Sequence, residues 1–474
     1  MKSRFNINLR HSRLTVAAAL PLLLGACASF STDGGFASVE QVAKSQLNKD
    51  ISWQREDSDK DAASKKVQEL LASPLGVEDA VQIALLNNRG LQAAFYELGI
   101  SEAEFVQSGR LANPGFSFGR LRQGSDVEID RGLQFNIAQL LTMPYVRQME
   151  GHRFEQAKRD AAGQVLSLAA ETRKAYYMAV AADESMLYMQ QVKKAADAGS
   201  ELARRMQQAG NFNKLQQARE QGFYADAALS LARAEQAQLH SREKLTRLMG
   251  LWGEQTAFVL PVKLPDLPKA PQDMENIEQL AMSQRLDVQA ARLGTEQLAK
   301  NLGLSKVSRF INVLEVGAVR NSYREQPTER GYQITLELPL FDWGSARVAK
   351  AEALYMQAVN RTAETAVNAR SEVREAYLAY RSSYDIARHY RDEILPLKKR
   401  ISEENQLRYN GMLIGVFDLL ADARSQMLAV NGAIEAKRDF WLAQADLEMS
   451  LLGKPALGLP AANAMQADSP AAGH

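Results

Sequence analysis

Cys27, in the stretch LPLLLGACASF, is the sole thiol among 474 residues. A lone thiol cannot close an internal disulfide or build a multi-thiolate zinc site, which leaves covalent modification or plain packing. Beyond residue 26 the histidines are His152, His240, His389 and His474, each isolated in the sequence. No HExxH, no Cys–His pairing and no phosphate-cradling glycine loop is present. The expectation is a protein without catalytic chemistry, cofactor or metal. Asp418 and Asp422, four apart in GVFDLLADARSQ, share a face of any helix that contains them. An aspartate in a first helical turn is stabilised by the helix dipole and need do nothing else.

The elements that carry these residues follow from composition and pattern. Apolar residues make up 46% of the chain and charged residues 24%, enough for a large ordered core. The 57 basic and 56 acidic residues leave a formal charge of +1, without the basic stripe that nucleic acid requires. Lys2, Arg4, Arg10 and Arg13 precede the apolar run LTVAAALPLLL. That run is too short to cross a bilayer at ~20 residues per helix and has the form of a secretory signal. With Gly25 and Ala26 before it, Cys27 resembles the acceptor of a bacterial lipobox. The resemblance implies a diacylglyceryl thioether, cleavage before Cys27 and an acylated amino terminus, with palmitate as a chain. Several acyl chains anchor firmly where one holds marginally. Ala28 stands where an aspartate would suggest inner-membrane retention, so sorting to the outer membrane is implied. No later stretch offers ~18 consecutive apolar residues, so any further membrane entry falls to β-strands.

Between Pro144 and Pro261 the chain has no proline and is rich in helix formers. ETRKAYYMAVAADE (171–184) answers to EVREAYLAYRSSYD (372–385), and RGLQAA (89–94) to LDVQAA (286–291). TMPYVRQMEGHR likewise answers to LPLFDWGSARVA. An internal two-fold repeat follows, each half reading helix, two strands, long helix, turn, helix. Val165, Leu168, Thr172, Ala175 and Ala179 step by three and four, as do Ala366, Ala369, Val373, Ala376 and Tyr380. Both series are coiled-coil seams. The predicted long helices, 145–209 and 342–410, would reach ~100 Å at ~1.5 Å per residue. Helices predicted over 77–112 with 213–249, and 273–308 with 416–452, are long enough to cover each of them when stacked end to end. Pro396 predicts a bend in the second long helix.

Strands are predicted by alternation of period two. In DVEIDRGLQFNIAQLL, Val127, Ile129, Leu133, Phe135 and Ile137 share a face interrupted by Arg131, while Glu128, Asp130, Gln134 and Asn136 share the other. RGYQITLELPLF alternates similarly, and GFSFGRLR (115–122) and FINVLEVGAVRNSY (310–323) supply partners. Such strands suit a transmembrane barrel or a hairpin on a soluble core. Four strands cannot close a transmembrane barrel alone, and lipid does not tolerate open edges, so several chains must contribute. Two chains give eight strands, filled by side chains; three give twelve, with room for a pore.

The segment PLGVEDAVQIALLNNRGLQAAFYELGISEAEFVQSGRLANPGFSF resembles the opening of a repeat in the TolC-like outer-membrane efflux family. LELPLFDWGSARVAKAEA resembles that family's step from strand into long helix, and GVFDLLADARSQ its turn into the last helix. The resemblance spans about residues 74–453. It implies a homotrimer, mainly α with a small β part: long antiparallel coiled-coil hairpins forming a periplasmic α-barrel, and four strands per chain contributing to a twelve-stranded outer-membrane β-barrel. It implies a periplasmic adaptor (membrane fusion) protein and an inner-membrane pump of the resistance–nodulation–division type as partners, outer-membrane lipid around the barrel, and no nucleic acid. The implied function is passive exit of small substrates, drugs or metal cations, in a Gram-negative cell. A duct for protein secretion and a lipid-anchored periplasmic scaffold without a pore are the alternatives. The expected organisation is a signal peptide at 1–26, an acylated tether at 27–73, repeats at 74–260 and 273–453 around a proline-rich linker at 261–272, and a disordered tail at 454–474.

In that family, rings of aspartates at the coiled-coil tips constrict the aperture. Asp418 falls on one such position; the next, three residues on, is Ala421 here, and Asp422 follows it. The turns Gly210-Asn211-Phe212 and Gly411-Met412-Leu413 are the implied tips, with exposed Phe212, Met412 and Leu413 as adaptor contacts. Local capping is the alternative reading of these turns. Trp343 marks the junction of barrel and helix, where an interfacial tryptophan fits.

Overall fold

The structure, a computed structural model, describes residues 29–455 apart from 311, 312 and 325. Cys27 and residues 456–474 of the expected tail lie outside the described residues. The described residues open with α1 (Phe36–Val42), which runs into a π turn (Ala43–Leu47), and α2 (Asp57–Leu71). Next come α3 (Val77–Asn87), α4 (Arg89–Ser108), β1 (Gly115–Gln123), β2 (Asp126–Asn136), α5 (Ile137–Gln208) and α6 (Lys214–Met249). The later part holds α7 (Ile277–Gln284), α8 (Leu286–Val307), β3 (Leu314–Tyr323), β4 (Glu329–Leu336) and α9 (Ser345–His389). A second π turn (Tyr390–Ile394) then leads into α10 (Leu395–Asn410), which a short turn joins to α11 (Val416–Leu452). Among the described residues a mainly helical chain with four strands is therefore what forms.

Two compact units divide it. One holds the described residues up to Trp53, with Gly90–Gln164 and Leu286–Asn368; the other holds Gln54–Arg89, Val165–Arg285 and the chain from Ala369. The first contains the sheet, an antiparallel meander in the order β1-β2-β3-β4. The two expected hairpins join through β2 and β3, with Leu133 opposite Ala318 and Arg131 opposite Arg320. Among the described residues β1 and β4 are unpaired edges.

β2 ends earlier than its alternation suggests. The Asn136 side chain accepts the Gln139 amide at 2.8 Å, so it caps α5, and Ile137 to Leu141 become helix rather than strand. Pro144 accordingly sits inside α5 rather than at its start. Its missing N–H frees the Leu140 carbonyl, in a turn whose Leu140 and Leu141 are exposed. α5 reaches 72 residues.

The helices expected at 77–112 and 273–308 are each two helices. Asn88 and Arg285 take extended conformations, with ψ of 119° and 121°, and break them at matching places in the paired segments. The second long helix runs from Ser345 to Asn410 with the π turn just before Pro396. The proline cannot donate to the carbonyl four residues back, and the wider turn absorbs the lost bond. Tyr390 in that turn lies over Gly432 of α11, where a Cβ would come within 2.8 Å of its hydroxyl.

In the second unit the seam residues Val165, Thr172, Ala175, Ala179, Ala369, Val373, Ala376 and Tyr380 are buried. Tyr176 donates to the Leu75 carbonyl at 2.9 Å, and burial pushes its phenol up to about 12, so it stays a neutral donor. The 261–272 linker is tied down too. Trp441 donates to the Pro265 carbonyl at 3.1 Å and Tyr384 to that of Lys269 at 2.9 Å. Residues 29–73 carry more structure than a tether needs. In the first unit Val39, Ala43, Leu47 and Ile51 are buried, and Phe36 meets Phe95 edge-on with ring centres 4.9 Å apart.

The end of α6 clasps the end of α3. Asn87 donates to the carbonyls of Met249 and Gly250 at 3.1 and 2.7 Å, and Asn88 to that of Leu248 at 2.9 Å, covering orphan carbonyls. Gly250 turns left-handed there, φ 65°, and a Cβ would fall 2.8 Å from the Asn87 carbonyl oxygen. Gly250→Val is expected to destabilise by about 2–4 kcal/mol, from backbone strain plus overpacking. The urea midpoint of protease resistance checks it.

Candidate functional site

The tip turns lie in the second unit. α5 ends in left-handed Gly210, φ 81°, and the amides of Asn211 and Phe212 both turn back to the Met206 carbonyl, at 2.8 and 3.2 Å. Asn213 then caps α6 through Gln216, each side chain bonding the other's amide at 2.8 and 2.9 Å. This fold-back buries Phe212, which is 8% exposed, so the expected outward phenylalanine is corrected to an internal one. The second turn differs. Met412 itself adopts the left-handed region, φ 57°, and Met412 and Leu413 stand 93% and 76% exposed. A methionine in that conformation costs roughly 1–2 kcal/mol, and here it points two apolar side chains outward. In the last turns of α5, hydrogen bonds from Arg204 and Arg205 hold the Glu201 carboxyl down at about 2, so the three charges travel together.

Asp418 and Asp422 occupy one face of α11 in unlike surroundings. Asp418, in the first turn, is exposed and accepts the Gly415 amide at 3.2 Å. Asp422, one turn on, is half-buried, and its shielded Oδ2 has no hydrogen-bond partner among the described residues. A group of three or more metal-ligating side chains is absent among the described residues.

Sequence reasoning missed Arg424. Its guanidinium donates to Glu220 of α6 at 2.8 Å and lies 4.3 Å from the Phe223 ring centre. The Glu220 side chain is 3% exposed. Nearby, Lys398 of α10 donates to the Ser425 hydroxyl at 2.6 Å. A charged pair 204 positions apart in the chain leaves no local signal.

The histidines are dispersed. His152 faces Glu296 at 3.5 Å and His389 faces Glu393 at 3.2 Å. His240 borders a groove of about 800 Å³ shared with Met189, Phe223, Met427 and Ile434.

The sheet has two unlike faces. Phe116, Leu133, Ala318 and Tyr332 align across the four strands on one, joined by Phe135, Val316, Ile334 and Leu336. The opposite face carries Ser117, Gln134, Gln333 and Thr335 with glycines at 115, 119, 132, 317 and 331. Phe116, Phe118, Leu133, Phe135, Tyr332 and Ile334 are exposed. Trp343, after β4, is 56% exposed, and Phe341 is 99% exposed. Among the described residues no helix is long and apolar enough to cross a membrane, which bears only on helices.

Among the described residues, then, the sheet is apolar on one face, polar on the other, unpaired at both edges and followed by very long helices. Solved structures share this fold. The Campylobacter jejuni CmeC outer membrane channel superimposes with a TM-score of 0.70 at 17% identity, over 79% of this chain and 85% of that one. The open state of the Neisseria gonorrhoeae MtrE outer membrane channel gives 0.67 at 19%, over 80% and 89%. A membrane protein from Pseudomonas aeruginosa gives 0.68 at 18%, over 79% and 93%. No protein-family model matches the sequence, and no curated protein matches it. The fold is that of the TolC-like outer-membrane efflux channels.

Proposed function

We propose that this chain is one protomer of an outer-membrane exit duct. Three copies close a twelve-stranded barrel through their β1 and β4 edges, and small substrates pass through passively from an inner-membrane pump and a periplasmic adaptor. The observation that carries the reading is the two-faced sheet with both edges unpaired, since lipid tolerates no open edge. Acylated Cys27 would hold the chain at the outer membrane. Exposed Met412 and Leu413 are the apolar tip available to an adaptor, with Gly210, Asn211 and Gly411 shaping the turns. Asp418 and Asp422 are the gate carboxylates: repeated about a threefold axis, they present rings of like charge that favour cations over anions.

Planar-bilayer conductance of the purified protein tests this, wild type beside Asp418→Ala/Asp422→Ala, with insertion verified separately. Small steps that enlarge about twofold or more in the variant are expected for a carboxylate constriction. Equal steps would keep the duct and discard this gate. Silence from both inserted proteins would favour a scaffold that conducts nothing.

A further inference from the structure

The charges of the sheet segregate completely by face. Every arginine of the four strands, Arg120, Arg122, Arg131, Arg320 and Arg330, projects on the apolar face. Every strand carboxylate, Asp126, Glu128, Asp130, Glu315 and Glu329, projects on the other. Arg131, Arg320 and Arg330 stand directly opposite one another across β2, β3 and β4. Adjacent strands are about 4.8 Å apart, and like charges directly opposite destabilise a sheet unless an anion lies between them. All three are exposed, and none makes an ion pair among the described residues. Closing the barrel with copies of this chain brings no strand carboxylate to this face, because every copy contributes the same acid-free set.

The position of the row is as specific as its charge. It begins one step beyond the aligned apolar row Phe116, Leu133, Ala318 and Tyr332, toward the hairpin turns and away from the ends that enter α5 and α9. Arg120 and Arg122 continue it toward the β1–β2 turn. A ligand here must be anionic at its head, apolar below, and seated at the membrane edge opposite the long helices.

Resting on the barrel reading, we propose that the Arg131–Arg320–Arg330 row is a binding site for the phosphates of an outer-leaflet glycolipid of the lipid A class. Its acyl chains lie along the apolar rows, and its phosphates are held by charge-assisted hydrogen bonds between neighbouring arginines.

The test is native mass spectrometry of the delipidated full-length protein, titrated with bisphosphorylated lipid A, its dephosphorylated counterpart, phosphatidylglycerol and inorganic phosphate. Wild type is expected to bind bisphosphorylated lipid A at least about tenfold more tightly than the dephosphorylated form, with inorganic phosphate failing to compete. Arg131→Gln/Arg320→Gln/Arg330→Gln is expected to lose that preference. Equal binding of both lipid A forms by wild type overturns the proposal whether or not the variant folds. Phosphatidylglycerol binding as tightly as lipid A overturns the glycolipid assignment. Bilayer conductance of the same wild-type preparation separates the two failures: channels without phosphate preference sink this site alone, and inserted protein without channels sinks the barrel reading with it.

Discussion

Arg285→Met is expected to destabilise the protein by about 3–5 kcal/mol, the cost of stranding a buried carboxylate. The Arg285 side chain is 1% exposed and lies 2.6 Å from Glu372, itself 12% exposed. Its other arm donates to the Ser450 carbonyl at 3.3 Å. One guanidinium thus ties the α7–α8 break to α9 and α11. Removing it leaves Glu372 charged and enclosed, without its cation. Arg285→Met/Glu372→Leu is expected to recover most of the loss, because well-packed apolar groups replace a buried pair at little cost. An exposed pair supplies the contrast. Arg374 and Glu278, 3.3 Å apart and 59% and 40% exposed, are screened by water, so Arg374→Met is expected to cost less than about 1 kcal/mol. Urea midpoints of protease resistance report all three, and an Arg285→Met midpoint matching that of Arg374→Met would refute the buried-pair account.

The same residue shows where local reading stops. Period two and the three–four steps are properties of a few neighbouring residues, so the strands, both long helices and the buried seams were legible. The break at Arg285 was not, because a single extended residue carries no proline or glycine to announce it, and its stabilising partners lie 87 and 165 positions away. Pro396 gave a signal, but proline permits several repairs, and the chain uses a π turn. Residues 39–51 fall within the expected acylated tether, although Val39, Ala43, Leu47 and Ile51 recur every four residues. That spacing was a visible sign of a buried face. Phe212 was misread because its burial depends on a left-handed glycine two residues earlier, which re-aims the side chain. The arginine row needed the β2–β3 register, a non-local fact that neither hairpin contains. Asp418 and Asp422 were singled out by the family resemblance and by their spacing, neither of which could distinguish an exposed cap from a half-buried oxygen.

That difference bears on how α11 is held, and Arg424→Ala is the substitution expected to move the proposed duct most. Glu220 is nearly sealed on α6, and Arg424 is the ion-pair partner that reaches it from α11, half a turn beyond Asp422. Arg424 is itself 32% exposed, so stranding that carboxylate costs about 3 kcal/mol, the low end for a buried pair. Each ~1.4 kcal/mol is tenfold in an equilibrium constant. If α11 must part from α6 for the tip to widen, losing the clamp shifts closed toward open by about a hundredfold or more. Arg424→Ala is therefore expected to stay open longer than wild type in planar-bilayer recordings. Arg424→Lys keeps the charge but not the planar group over Phe223, and is expected to fall between them. Glu220→Gln/Arg424→Ala removes the stranded carboxylate, so it should regain stability while staying open. That split separates a latch from a merely structural pair: stability returns, closure does not. Wild-type openings from inserted Arg424→Ala protein would show that α6 and α11 do not part at this point when the duct conducts.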